Sequence, residues 1–272
     1  MIKVIDIDAL FDSYISDYVY KNIGKVKPEE IENNIPVLYE KFGSESLKEL
    51  DGKTPSAYYE DASTSELLSV LKEHLNSGVS VPDFLPEALA KRSDDEREFV
   101  QALNQDDSEE FTAYLMNILA DMDIVLVKKY MEFLTLDYPT NIKELAVELL
   151  SKRANEVKED ILEIFNESDE ERKELFCEIL SYSSIDDKTF DILTLQFLKN
   201  RDKTPMYASY LARFGDARAL PFLMQAIEEE KISYADFEEL RFAIEALGGE
   251  YNKIRDFSKD KSFKKIKDTD KN

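Results

Sequence analysis

Apolar residues recur along this chain at helical spacing, and from residue 63 onward the helical segments follow a period. Six segments end in the same pattern, which is a bulky residue or Ala, two variable residues, an apolar residue and Leu. The final residues are Leu89, Leu119, Leu150, Leu180, Leu211 and Leu247, at intervals of 30, 31, 30, 31 and 36 residues. Spacing of i, i+3 and i+4 places each trio on one helix face. The pattern therefore predicts a repeating helix that buries one face near its C-terminal end.

Each of these segments follows another helical segment. The partner helices are predicted at about 64–77, 95–104, 124–136, 156–166, 186–199 and 217–229. One helix pair cannot bury both of its faces, but stacked pairs form a continuous core in which each unit touches its neighbours. The sequence therefore predicts an all-α fold, an α-solenoid or superhelix of antiparallel helix pairs, with about six pairs over residues 63–250.

The two ends of the chain differ from this array. Residues 7–23 and 28–42 read as amphipathic helices, with Pro36 inside the second, and we expect 1–62 to form an N-terminal helical cap. Residues 251–272 form a basic tail: 252–272 hold eight Lys and Arg against four Asp and Glu. Few apolar residues and alternating charges predict that this tail is partly disordered.

Charge narrows the classes of partner. The formal net charge is −23, and the body outside the tail is more acidic still. Such a field repels phosphates and anionic headgroups, so we expect no nucleic-acid or membrane partner. An acidic surface is typical of a solvated cytosolic protein, and it also suits a basic protein or peptide. Without an apolar leader or an 18-residue apolar run in the sequence, the expected location is cytoplasmic.

The most specific stretch is 207–249. Leu211 is followed by Gly215-Asp216, then by the run from Arg218 to Leu223 (Arg-Ala-Leu-Pro-Phe-Leu), and the next helix ends in Ala246-Leu247 and Gly248-Gly249. This segment resembles the HEAT-like repeats of the phycobilisome-lyase type, which place Gly-Asp at the corner between two such helices. Upstream of it only the period and the apolar positions agree.

The resemblance implies a right-handed stack of helix pairs whose second helices line a concave face. It implies binding more than chemistry, because fold alone does not transfer an activity. Proteins similar to it in repeat type include lyases and DNA glycosylases. We keep an enzyme or enzyme subunit of that kind, using the groove for a ligand, as the alternative function.

Two motifs and two single residues suggest chemistry, and each lacks a part that the chemistry needs. Asp6 and Asp8 resemble a phosphatase nucleophile loop but have no strand pattern behind them. Gly52-Lys53-Thr54 resembles the end of a phosphate-binding loop without its earlier Gly. His74 is the one histidine and Cys177 the one cysteine, so neither a zinc site of His and Cys nor a Cys–His or Ser–His–Asp arrangement is expected.

We therefore predict a protein that is not an enzyme and has no cofactor or metal. It would act as a protein–protein interaction scaffold that binds a partner protein or basic peptide in an acidic concave groove. In the last pair, Phe237, Leu240, Ala243, Ile244 and Leu247 are predicted core positions. The residues left off that stripe are the candidate binding residues Glu238, Arg241, Phe242 and Glu245. A third hypothesis is a self-associating protein whose acidic groove is filled by its own basic tail or by the tail of a neighbouring copy.

Overall fold

A computed structural model describes residues 2–25, 27–92, 94–105, 108–261 and 263–264. Within these residues the secondary structure is α-helix with short 3-10 turns, and no strand occurs. The all-α prediction is confirmed. The chain divides into two compact units, Met1–Leu126 and Val127–Asn272. The division falls inside the predicted array 63–250, and the two units are described separately below.

The first unit contains seven α-helices within its described residues. They are α1 (Ile7–Asn22), α2 (Pro28–Gly43), α3 (Pro55–Tyr58), α4 (Thr64–Ser77), α5 (Phe84–Ala90), α6 (Glu96–Gln105) and α7 (Glu109–Asp121). Helices α5 and α7, the predicted second helices, pack against each other, and α4 and α6 pack on α7. The predicted segments 7–23, 28–42, 64–77 and 95–104 match α1, α2, α4 and α6 to within one residue at each end.

Local sequence explains where these helices begin. Ser63 and Glu66 form a reciprocal capping box at the start of α4, and the Ser108 side chain accepts from the backbone N–H of Phe111 at the start of α7. Each cap satisfies an amide that the helix cannot pair internally. Before α3, Asp51 and Gly52 form a turn in which both residues have positive φ.

The second unit contains eight α-helices within its described residues. They are α8 (Val127–Thr135), α9 (Thr140–Ser151), α10 (Ala154–Ile164), α11 (Glu170–Leu180), α12 (Asp187–Lys199), α13 (Thr204–Phe214), α14 (Leu220–Ile227) and α15 (Tyr234–Ala246). Helices α9, α11, α13 and α15 pack one on the next in chain order. Each also packs on the helix that precedes it in the chain. We call these four the second helices.

The repeated Leu positions hold the core. All six are buried: Leu89, Leu119, Leu150, Leu180, Leu211 and Leu247. One member of the pattern differs, because Ala246 is exposed although its trio places it on the buried face. The chain after α15 turns back to contact Tyr234 and Phe237 in the first half of that helix.

The Gly-Asp corner joins α13 to the last pair. Gly215 adopts φ +80°, where a side chain would be strained, and its N–H bonds to the Leu211 carbonyl. The Asp216 carboxylate then accepts from the backbone N–H and the guanidinium of Arg218. Arg218 in turn reaches Asp187 at 2.7 Å, one repeat earlier. The corner therefore ties α14 to α12 as well as reversing the chain.

The described part of the tail packs on its own unit. The rings of Phe257 and Phe263 meet Tyr234, with centroids 5.3 and 4.9 Å apart. The Arg255 guanidinium donates to the carbonyls of Ile227 and Glu229, both at 2.7 Å. This segment covers the end of α14, and the rest of the predicted disordered tail lies outside the described residues.

Candidate functional site

The solvent-facing side of the second helices carries three rows of equivalent residues, which together we call the second-helix face. Counting back from the repeated Leu of each helix, the rows lie nine, five and two positions earlier. These offsets differ by four and three residues, so they fall on one side of an α-helix. The buried trio occupies the other side.

The central row is apolar. It consists of one residue from each second helix in turn, namely Leu145, Leu175, Met206 and Phe242. The first three are half-buried, and Phe242 is 55% exposed. An apolar residue occupies the same solvent-facing position in each of the four second helices. Most protein surfaces carry exposed apolar residues that are scattered instead. The row is therefore the apolar centre of a surface.

Acidic residues dominate the rows on both sides. The N-side row, nine positions before Leu, consists of Asn141, Glu171, Asp202 and Glu238. The C-side row, two positions before Leu, consists of Glu148, Glu178, Ser209 and Glu245. Six of these eight residues carry carboxylates, and three of the six pair with a cation: Glu171 with Lys143, Glu238 with Arg241 and Glu148 with Lys152. Asp202 lies in the 3-10 turn just before α13. The apolar row is therefore flanked by carboxylates on both sides, part of whose charge is balanced within the chain.

Adjacent second helices enclose grooves on this face. Between α9 and α11 lies a groove of about 500 Å³. Its apolar floor includes Val147 and Leu175, and its rim includes Glu144, Glu148 and Glu178. The sole rim lysine, Lys152, lies 3.6 Å from Glu148, and both side chains are exposed. Such an exposed pair contributes little energy, so the groove keeps its negative character.

Contacts between α11 and α13 show that equivalent positions lie side by side. Tyr182 and Arg213 each follow the repeated Leu by two residues, and the Arg213 guanidinium stacks on the Tyr182 ring at 4.4 Å. Arg213 also donates to Ser181 Oγ at 3.1 Å. The Tyr210 hydroxyl donates to Glu178 at 3.4 Å. Burial, and to a smaller extent the charge of this carboxylate, raises the pKa of Tyr210. The rows are therefore in register between these two helices.

The four predicted binding residues lie together on α15. Phe242 belongs to the apolar row, and Glu238 and Glu245 belong to the two acidic rows. Arg241 pairs with Glu238 at 2.5 Å, and its guanidinium lies 5.6 Å from the Phe242 ring centre. The predicted core residues of this helix are all buried. Whether the four residues bind a partner stays a prediction.

Sequence reasoning missed the equivalent residues on α9 and α11. Glu144, Glu148, Leu175 and Glu178 were not selected, although the register of the repeated Leu marks them. Applying the α15 offsets to every repeat would have found them. Tyr182 follows the end of α11, where helical periodicity no longer applies, so its place on the groove rim needed the structure.

The isolated residues considered for chemistry lie inside the helical packing. Cys177 is fully buried, and burial raises the pKa of its thiol. His74 is also fully buried, with Nδ1 3.3 Å from the Val79 carbonyl beyond the end of α4. In the described part of the chain, no group of three His, Cys, Asp or Glu side chains is placed to hold a metal ion. None of the described helices combines the length and apolar character needed to cross a bilayer.

Comparison with known proteins adds no relative. No protein-family model, curated protein or solved structure matches this chain at a significant level. The resemblance of residues 207–249 to HEAT-like repeats therefore stays a prediction.

Proposed function

We propose that this chain is a non-enzymatic interaction scaffold whose second-helix face binds a basic peptide or a basic segment of a partner protein. The observation that carries the proposal is the row of half-exposed apolar residues between two acidic rows. Apolar contact supplies affinity, while the carboxylates select a positively charged partner and speed its approach. The groove between α9 and α11, rimmed by Glu144, Glu148 and Glu178, lies on this surface.

We further propose that the second unit is a HEAT-like stack of helix pairs. Two observations support this architecture. The second helices pack in chain order, and several polar contacts join residues about one period apart. Examples are Arg213 to Ser181, Arg218 to Asp187, and Lys143 to Glu171, at separations of 32, 31 and 28 residues. In such a stack the second helices line the concave side, which is a common site for macromolecular partners.

Peptide binding tests the function directly. A fluorescein-labelled Lys- and Arg-rich peptide of about 20 residues is titrated with the full chain, and fluorescence anisotropy gives the Kd. The Glu144→Gln/Glu148→Gln variant should weaken binding by about 3- to 10-fold, because it removes two rim charges. Binding should also weaken as NaCl is raised, because salt screens exposed charges.

The matched control is Glu159→Gln/Glu163→Gln. Both residues are exposed on α10, outside the second-helix face, and the variant has the same net charge as the groove variant. It should change the Kd by less than about 2-fold, because it leaves the groove intact. Equal losses in both variants would mean that the partner senses net charge alone. That result, or no binding by the unmodified chain, would reject the proposal.

A further inference from the structure

The dimensions of the second-helix face match those of an α-helix. Its apolar row runs across α9, α11, α13 and α15, so it crosses three helix-to-helix steps. Packed helices lie about 8–10 Å apart, which gives the row a length of about 24–30 Å. An α-helix of about 16–20 residues has that length, and seven of its residues span about 10.5 Å, close to one step.

The width of the face gives the same answer. In α9, α11 and α15 the two rows lie seven residues apart along the helix, which corresponds to about 10.5 Å. An α-helix with its side chains is about 10–12 Å across. A helix lying on the apolar row would therefore hold one flank above the N-side row and the other above the C-side row. Both flanks would meet carboxylates, Asp202 on one side and Glu178 and Glu245 on the other. In the same rows Glu171, Glu238 and Glu148 already pair with Lys143, Arg241 and Lys152.

We infer that the partner of this face is a basic amphipathic α-helix that lies across the second helices. Its apolar stripe, with anchors about one heptad apart, contacts Leu145, Leu175, Met206 and Phe242. Lys and Arg on both borders of the stripe face the acidic rows. As in the recognition of amphipathic helices by apolar grooves, the apolar stripe supplies the contact, but here the partner helix crosses the second helices instead of lying between two of them. The inference rests on the proposed function, because it specifies the shape of the basic partner.

Two peptides of identical composition separate the inference from the proposed function. The first has Leu on one helical face with Lys and Arg on both borders, over about 20 residues. The second contains the same residues in an order that distributes Leu around the helix. Both are titrated with the full chain by fluorescence anisotropy, and circular dichroism follows helix content on binding.

The amphipathic peptide should bind at least about 10-fold more tightly than the shuffled one, because only it can place its apolar residues on the row. It should also gain helix on binding. Equal affinities would overturn the helix inference and leave the basic-peptide function standing. If neither peptide bound, both proposals would fail.

Phe242→Ala tests where the helix lies. Phe242 is 55% exposed, so its truncation leaves the core intact. The variant should bind the amphipathic peptide about 5- to 10-fold more weakly. Leu195→Ala is the control, because Leu195 is 48% exposed on α12, outside the face. A Phe242→Ala protein that binds the amphipathic peptide as tightly as the Leu195→Ala protein would overturn the placement.

Discussion

Asp216 shows how a single side chain fixes the corner between α13 and α14. Its carboxylate caps the 3-10 turn at Ala217–Ala219 and also accepts from the Arg218 guanidinium at 2.6 Å. Asp216 is buried to 8% exposure, whereas Arg218 remains half-exposed at its side chain. The buried carboxylate depends on this partner, because an uncompensated charge there would be costly.

The pH dependence of stability tests this dependence. Hydrogen bonds from Arg218 hold the pKa of Asp216 below its usual value, although partial burial opposes them. A lowered pKa in the folded state stabilises the fold above the unfolded pKa of about 4, and this contribution is lost as pH falls through the lowered pKa. Asp216→Asn keeps the cap but removes the charge, so it should reduce the free energy of unfolding by about 1–3 kcal/mol at neutral pH.

Urea unfolding at about pH 7 and about pH 3 measures both effects. The difference between the original chain and Asp216→Asn should shrink at the lower pH. Asp187→Asn is the control, because Asp187 also pairs with Arg218 but its side chain is 86% exposed. It should cost less than about 0.5 kcal/mol. A deficit for Asp216→Asn that is the same at both pH values would contradict the assignment to charge.

At the scale of the element, the C-terminus of α14 is closed by a side chain from the tail. The last carbonyls of a helix have no intrahelical donor and carry partial negative charge. Arg255 donates to the carbonyls of Ile227 and Glu229, and more distantly to Glu230 at 3.4 Å. Glu228 pairs with Lys253 next to it. Two basic residues of the tail therefore bind within their own unit.

Arg255→Ala should lower the free energy of unfolding by about 1–2 kcal/mol, because it removes hydrogen bonds from a charged donor to the carbonyls of Ile227 and Glu229. Lys253→Ala is the comparison, because its Nζ pairs with a carboxylate while both side chains are largely exposed, and it should cost less than about 1 kcal/mol. Urea unfolding of the two variants separates these roles. If Lys253→Ala were the more destabilising of the two, the capping role of Arg255 would be wrong.

The helices were predictable because their signals are local. A buried trio at i, i+3 and i+4, a polar cap such as Ser63, and a proline such as Pro205 at a helix start each act within a few residues. The packing of the tail was not predictable. Phe257 and Phe263 meet Tyr234 through contacts that follow no period, and the basic composition of the tail indicated disorder instead.

The candidate site was predictable in part for the same reason. Phe242 and its neighbours follow from the helical offsets of α15, and the same offsets fall within α9 and α11. The contact of Arg213 with Tyr182 follows from how two helices pack, which a single helical period does not encode. Some carboxylates of the acidic rows form ion pairs within the chain, such as Glu171 with Lys143 at 3.0 Å. The sequence alone does not show which carboxylates are paired in this way and which are available to a partner.

On the scale of the whole molecule, the excess of negative charge opposes folding. The chain has 58 Asp and Glu against 35 Lys and Arg, and folding brings this excess into a smaller volume. This repulsion is the sum over many pairs of carboxylates that lie far apart. Salt screens such long-range interactions effectively, because the Debye length falls from about 30 Å at 0.01 M to about 10 Å at 0.1 M. The attractive ion pairs act over shorter distances than this repulsion. In most of them at least one side chain is exposed, and each such pair contributes at most about 1 kcal/mol.

Raising NaCl from about 0.01 M to about 0.1 M at neutral pH should therefore increase the free energy of unfolding, because screening relieves more repulsion than attraction. Urea titrations at several salt concentrations measure the slope. The same series near pH 4.5, where the sequence has its isoelectric point, is the control and should show little dependence on salt. A decrease in stability with salt at neutral pH would mean that specific pairs such as Lys158 with Asp186, at 3.1 Å, outweigh the net repulsion.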